Sequence, residues 1–100
     1  MIKSGTRLQS QVCDTQVIVI VPADSLDDLR CGGAAMVEVG GARSDGAVLD
    51  PDFGDGVAIG KRYVDDAGAE VLVTKAGAGS LSIGATPLHL KESKALPASD

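Results

Sequence analysis

Tryptophan is absent from this 100-residue chain, and Phe53 and Tyr63 are its only aromatics. A core must therefore come from Val, Ile, Leu, Met and Ala, a set that suits β packing of branched side chains better than aromatic stacking. His89 is the only histidine, and Cys13 and Cys31 are the only cysteines. No run of 18 apolar residues occurs, and residues 1–9 carry basic groups without the apolar stretch of a secretory leader. The expectation is a cytoplasmic protein with no membrane partner. Basic side chains are scarce too: 9 Lys and Arg against 14 Asp and Glu leave a formal charge of −5. A nucleic-acid backbone would be repelled by such a chain, so nucleic acid is not an expected partner.

What is present is apolar content of 44%, 13 glycines and a pattern written twice. Gly5, Arg7, Leu8, Val17, Ile18, Val19, Leu29, Gly32 and Met36 recur in order as Gly60, Arg62, Tyr63, Val71, Leu72, Val73, Leu81, Gly84 and Leu88. The match drops one residue after the opening strand and two more in the following turn. Such self-similarity decides the architecture before any local reading does. Each half is too short to hold a stable core alone, so the halves must share one.

Residues 8–12 alternate as an opening strand, and residues 17–21 form a β-branched run that reads as its more buried partner, with a hairpin around Asp14 and Thr15. Residues 22–29 read as either one helical turn, capped by Asp24 or Ser25, or a polar loop. A turn at 31–33 leads to a strand over 35–39. Domain boundaries follow: a first β repeat over 1–39, a Gly/Asp-rich linker over 40–56 with a short strand at 47–49, a second repeat over 57–92 and a frayed tail over 93–100. The second repeat is expected to hold strands at 57–64, 70–75, 80–83 and 87–91, with glycine turn 76–79 read as a hairpin.

Leu29, Cys31, Gly33 and Met36 resemble the closing Leu-x-Cys-Cys-Gly-x-Pro-Met motif of desulforedoxin-like domains. Leu8, Ser10, Cys13 and Asp14 look like that family's opening Tyr-x-Cys-x-x-Cys-Gly, and in the second copy Tyr63, Leu81, Pro87 and Leu88 fall at matching places. The resemblance covers residues 5–38 and 60–91. It implies a rubredoxin-like metal ribbon in which four thiolates hold iron and two small β chains form a dimer. Most ligands are missing here. Ser10, Cys13, Cys31 and Gly32 occupy the four positions of the first copy, and Asp65, Ala67 or Gly68, Ile83 and Gly84 those of the second. A tetrahedral iron or structural zinc site wants four soft ligands, so half a site survives in one copy and none in the other.

Cys13 and Cys31 are the residues with distinctive chemistry. Three readings stand open: vestigial packing thiols, a zinc or iron site completed by Ser10, His89, water or a second chain, or a redox pair. His89 lies between Leu88 and Leu90 on an expected strand, where alternation turns it to solvent. The carboxylates Asp45, Asp50, Asp52 and Asp55 fail the spacing of a calcium loop, since Lys61 stands where a bidentate Glu is needed. Residues 77–79 are too short for a phosphate cradle. No nucleophile, base and orienter occur as a set, so no catalytic residue is assigned. The sequence therefore predicts an all-β fold of two tandem β-ribbon repeats packed as a pseudo-dimer. Its expected role is a non-catalytic accessory module that pairs through strand edges with itself or a larger protein. The alternative is a metal-binding or electron-transfer protein centred on Cys13 and Cys31. No cofactor is the first expectation, with zinc or iron as the second.

Overall fold

The computed structural model describes residues 2–41, 43 and 46–91. The expected tail over 93–100, and Asp45 of the acidic loop, lie outside the described residues. Ten short strands follow one another: β1 (Arg7–Gln9), β2 (Gln16–Val21), β3 (Leu29–Cys31), β4 (Ala34–Ala35), β5 (Val37–Glu38), β6 (Arg62–Val64), β7 (Glu70–Lys75), β8 (Leu81–Ile83), β9 (Thr86–Pro87) and β10 (His89–Leu90). They form two antiparallel sheets. The larger has the order β10-β6-β7-β2-β1-β5 and the smaller the order β4-β3-β8-β9. Among the described residues the fold is all-β apart from 3-10 turns at Asp24–Asp28 and Pro51–Phe53. No helix among the described residues is long and apolar enough to cross a membrane.

Both sheets carry the internal duplication in their registers. Across β2 and β7, Val17 pairs with Val73, Ile18 with Leu72 and Val19 with Val71. Across β3 and β8, Leu29 pairs with Ile83, Arg30 with Ser82 and Cys31 with Leu81. Exchanging each residue for its repeat counterpart returns the same pairs, with Ile18/Leu72 and Arg30/Ser82 as the self-matched centres. The β1/β2 register (Leu8 to Val17) likewise reappears as β6/β7 (Tyr63 to Val71). Loop hydrogen bonds obey the relation too. Gly32 N–H reaches Ser80 O and Gly84 N–H reaches Asp28 O, both at 3.0 Å, each crossing from one copy to the other.

Alternation along the two central strands builds the core. Val17, Val19, Val71 and Val73 are at most 1% exposed. Leu8 joins them from the larger sheet, and Leu29, Cys31 and Leu81 from the smaller, in one cluster closed by Leu26 and Ala69. Each fully buried valine contributes roughly 1.5–3 kcal/mol relative to an exposed one. The first copy supplies six of the ten residues of this cluster and the second copy four, so the two copies share one core across the central pairings.

Several boundaries differ from those expected. The strand expected over 35–39 is two strands in different sheets. Met36 N–H bonds to Leu29 O at 3.0 Å and the chain turns the corner there; Leu88 N–H bonds to Leu81 O at 3.1 Å and does the same in the second copy. Residues 47–49 form no strand. The linker is instead pinned: Asp50 N–H bonds to Gly32 O at 2.9 Å, and Asp50 Oδ1 caps the Pro51–Phe53 turn through Asp52 N–H at 3.0 Å. Neither Asp24 nor Ser25 caps the first 3-10 turn, whose capping residue is Ala23 with no side-chain hydrogen bond.

One charge is buried in the larger sheet. Glu70 is 5% exposed and receives Lys91 Nζ at 2.8 Å and Arg62 Nη1 at 3.1 Å. The Lys91 hydrogen bond and charge, with those of Arg62, hold its carboxyl below the usual range despite burial.

Candidate functional site

The six residues from Ser10 to Thr15 join β1 to β2, closed by Ser10 N–H to Thr15 O at 2.9 Å. Ser10 is 1% exposed and Thr15 is 0% exposed, so their hydroxyls must find partners within the fold. Ser10 Oγ accepts the N–H groups of Val12 and Cys13, both at 3.1 Å. A hydroxyl has two acceptor lone pairs and one proton. With both lone pairs engaged, the Ser10 proton is what remains for Cys13 Sγ, 3.3 Å away. Thr15 Oγ1 lies 3.2 Å from the same sulfur. Gly79 N–H, from the second copy, donates to it at 3.3 Å. Cys13 is thus a half-buried sulfur set between two hydroxyls, which can donate to it once it is ionised, and the Gly79 N–H.

Cys31 ends β3, where alternation places it in the core at 0% exposure and turns Arg30 outward to Asp28, 3.1 Å away. The two sulfurs are 3.8 Å apart. Their proton affinities diverge. Burial alone would push the Cys13 thiol up, but the hydroxyls of Ser10 and Thr15 and the backbone N–H groups of Thr15 and Gly79 outweigh it and lower it to about 7. Burial pushes Cys31 up to about 11, and the nearby charge of Cys13 adds to that rise. One thiol is therefore poised to ionise near neutral pH while its neighbour stays protonated, the division of labour a dithiol exchange needs.

The structure brings together Ser10, Cys13 and Cys31 and leaves His89 elsewhere. His89 sits on β10, at the opposite edge of the larger sheet from β5 and in the other half from β1. Its side chain is 67% exposed and 3.8 Å from Asp66. With Asp65, Ile83 and Thr86 it lines a cavity of about 220 Å³ at the second copy's counterpart of the thiol site.

The zinc or iron option is corrected here. Among the described residues no group of three or more His, Cys, Asp or Glu side chains is placed to hold a metal. Ser10 spends its lone pairs on backbone N–H groups. The fourth position is closed: a Cβ on Gly32 would lie 2.5 Å from Leu49 Cδ1 and 2.6 Å from Val12 Cγ2, at a φ of +66°. Apolar side chains fill the room that a fourth ligand would need.

Residues 77–79 also require correction. They do not turn a hairpin, because β7 and β8 belong to different sheets. A Cβ on Gly77 would lie 2.6 Å from Thr15 N, and one on Gly79 would lie 3.0 Å from Cys31 Sγ. Glycine stands at both positions because the backbone passes directly over the thiol pair. Thr15 and Gly79 belong to the candidate site, and the sequence did not mark them as such. Spacing flagged the glycines without locating them, and nothing set Thr15 apart from an ordinary turn residue.

No protein family, curated protein or solved structure matches this chain.

Proposed function

We propose that this chain is a small dithiol redox protein that exchanges electrons with the disulfide of a partner through Cys13 and Cys31. The observation that carries the reading is the 3.8 Å separation of a half-exposed sulfur, held between two hydroxyls and a backbone N–H, from a fully buried one. In this reading the scaffold is a pseudo-dimer of two degenerate desulforedoxin-like ribbons, with the four-thiolate set reduced to one dithiol.

The exchange runs in two displacements. The Cys13 thiolate attacks one sulfur of the partner disulfide, an S–S bond forms between Cys13 and that sulfur, and the other partner sulfur leaves as a thiolate and takes up a proton. Forming the mixed disulfide removes the Cys13 charge, one of the causes that keep Cys31 protonated. Cys31 then gives up its proton to solvent and attacks the Cys13 sulfur from the core side. The second partner sulfur leaves outward as a thiolate, in line with the attack, and takes up a proton from solvent in exchange for the one Cys31 released. Two electrons pass to the partner, which becomes a dithiol, and the chain keeps a Cys13–Cys31 disulfide. A second exchange in the reverse sense restores it. The accessory role expected from the sequence fits this chemistry, since the module acts on a protein that docks beside Cys13. Edge pairing is a weaker basis for it, because the outer strands β4, β5, β9 and β10 are two residues each.

Mass spectrometry after equilibration in thiol-disulfide buffers tests the proposal. The native chain should lose two hydrogens reversibly, Cys31→Ser should accumulate a mixed disulfide on Cys13, and Cys13→Ser should stay unmodified when folded. Absence of the intramolecular disulfide under excess oxidant, or preferential modification of Cys31 in the folded state, would overturn it.

A further inference from the structure

The second copy carries no thiol, yet its residues 76–80 lie against both thiols of the first. Gly79 N–H bonds to Cys13 Sγ at 3.3 Å. The next residue fixes the approach from two sides: Ser80 O accepts Gly32 N–H at 3.0 Å, beside Cys31, and Ser80 N–H bonds to Phe53 O at 2.7 Å. Side chains are excluded at the points of approach, where a Cβ on Gly77 would meet Thr15 Oγ1 at 2.7 Å and one on Gly79 would meet Gly32 N at 2.8 Å. A backbone amide held this way is an aimed dipole. It needs no reorganisation when charge appears on the sulfur.

We infer that the glycine turn of the second copy is a working part of the redox site, with the Gly79 N–H serving as a thiolate-stabilising donor to Cys13 and its hydrogen bond reporting the oxidation state of the pair. The inference rests on the dithiol reading and assigns a task to the half of the molecule that lacks thiols. A thiolate is a strong acceptor for an N–H, whereas a disulfide sulfur carries no charge and accepts weakly. Reduction therefore tightens the connection between the turn and the thiol loop, and oxidation loosens it. Through Ser80 the turn is tied to Phe53 and the linker, so the state of the sulfurs reaches the segment joining the two copies.

The direct test replaces the Ala78–Gly79 amide by an ester, using glycolic acid at position 79, which deletes the N–H and adds no Cβ. The readout is the pH profile of Cys13 alkylation by iodoacetamide in full-length protein carrying Cys31→Ser. The ester should slow alkylation near pH 7 by about twofold to fivefold and leave the rate at pH 10 unchanged, as expected for one lost hydrogen bond to an ionised group. An ester at Gly60, whose N–H bonds to Val73 O at 2.9 Å, is the control. It should lower the melting temperature without moving the profile. The amide proton of Gly79 in the native chain gives a second readout that needs no ester. Its NMR shift should titrate with the Cys13 midpoint, and its hydrogen exchange should quicken when the disulfide forms. A native midpoint near that of an ordinary thiol would refute the dithiol reading itself. A native midpoint near 7, with an unmoved profile in the ester or a Gly79 amide blind to both titration and oxidation, would overturn this inference alone.

Discussion

Thr15→Val is the most discriminating single substitution at the thiol site. Thr15 is 0% exposed, and valine replaces its hydroxyl with a methyl of nearly the same shape, so no cavity opens. What is lost is the Oγ1 hydrogen bond to Cys13 Sγ at 3.2 Å. Hydrogen bonds to charged groups contribute about 1.5–3 kcal/mol. For a half-exposed sulfur the low end applies, which corresponds to about one pKa unit at ~1.4 kcal/mol per unit. Cys13 should then rise from about 7 by that single unit. The thiolate fraction at pH 7 falls from about one half to about one tenth, so alkylation slows about fivefold at that pH. At pH 10, where both proteins are ionised at Cys13, the rates should coincide. Stopped-flow alkylation over pH 5–10, with Cys31 replaced by serine in both proteins, measures the two profiles. Equal rates at pH 7 would show that the hydroxyl does not stabilise the thiolate. A uniform drop at all pH values would assign Thr15 a role in access and not in ionisation.

Two further outcomes follow from the fold. Glu70 has a folded pKa below its ordinary value of 4.5, so its contribution to stability is present above that value and lost as the pH falls through the lower folded one; Glu70→Gln should remove this part of the acid-dependent loss in urea denaturation between pH 5 and 2, and an unchanged acid slope would refute the assignment. Gly32→Ala should cost clearly more than Gly5→Ala: both positions have positive φ, +66° and +86°, yet an added Cβ meets Leu49 and Val12 at the first and nothing within 4 Å at the second. The backbone term alone is roughly 1–2 kcal/mol, and equal losses in thermal melts would show that the thiol loop yields to the methyl.

The duplication was legible in the sequence because both copies keep the residues that the sheets use as register marks. Val17 and Val19, aligned with Val71 and Val73, are the residues that pair across the centre. Strand ends were less legible. Two-residue strands such as β4 and β9 carry no periodicity, and the corners at Met36 and Leu88 are set by hydrogen bonds to Leu29 and Leu81 in the other arm of each turn. At the site, the two cysteines stood out by residue type and Ser10 by its place in the ligand pattern of the resemblance. Thr15 and Gly79 did not, because their role comes from a close approach between segments 64 residues apart in the sequence, read from positions 15 and 79. Local spacing holds no record of such a contact. The failure of the metal set was visible in the missing ligands, while Leu49 and Val12 as occupants of the vacated space required the fold.

The pairings of β2 with β7 and of β3 with β8 are interfaces between two versions of one unit, joined by residues 40–56. Nothing in their registers depends on both partners coming from the same molecule. The join sets the local concentration at which one half meets the other. At lower protein concentrations closure within a chain therefore wins. A chain whose connection is cut too short to span the join loses that advantage, and its first half would pair with the second half of a neighbour in the same registers. The seam that gives this molecule its core is also the line along which two molecules would trade halves.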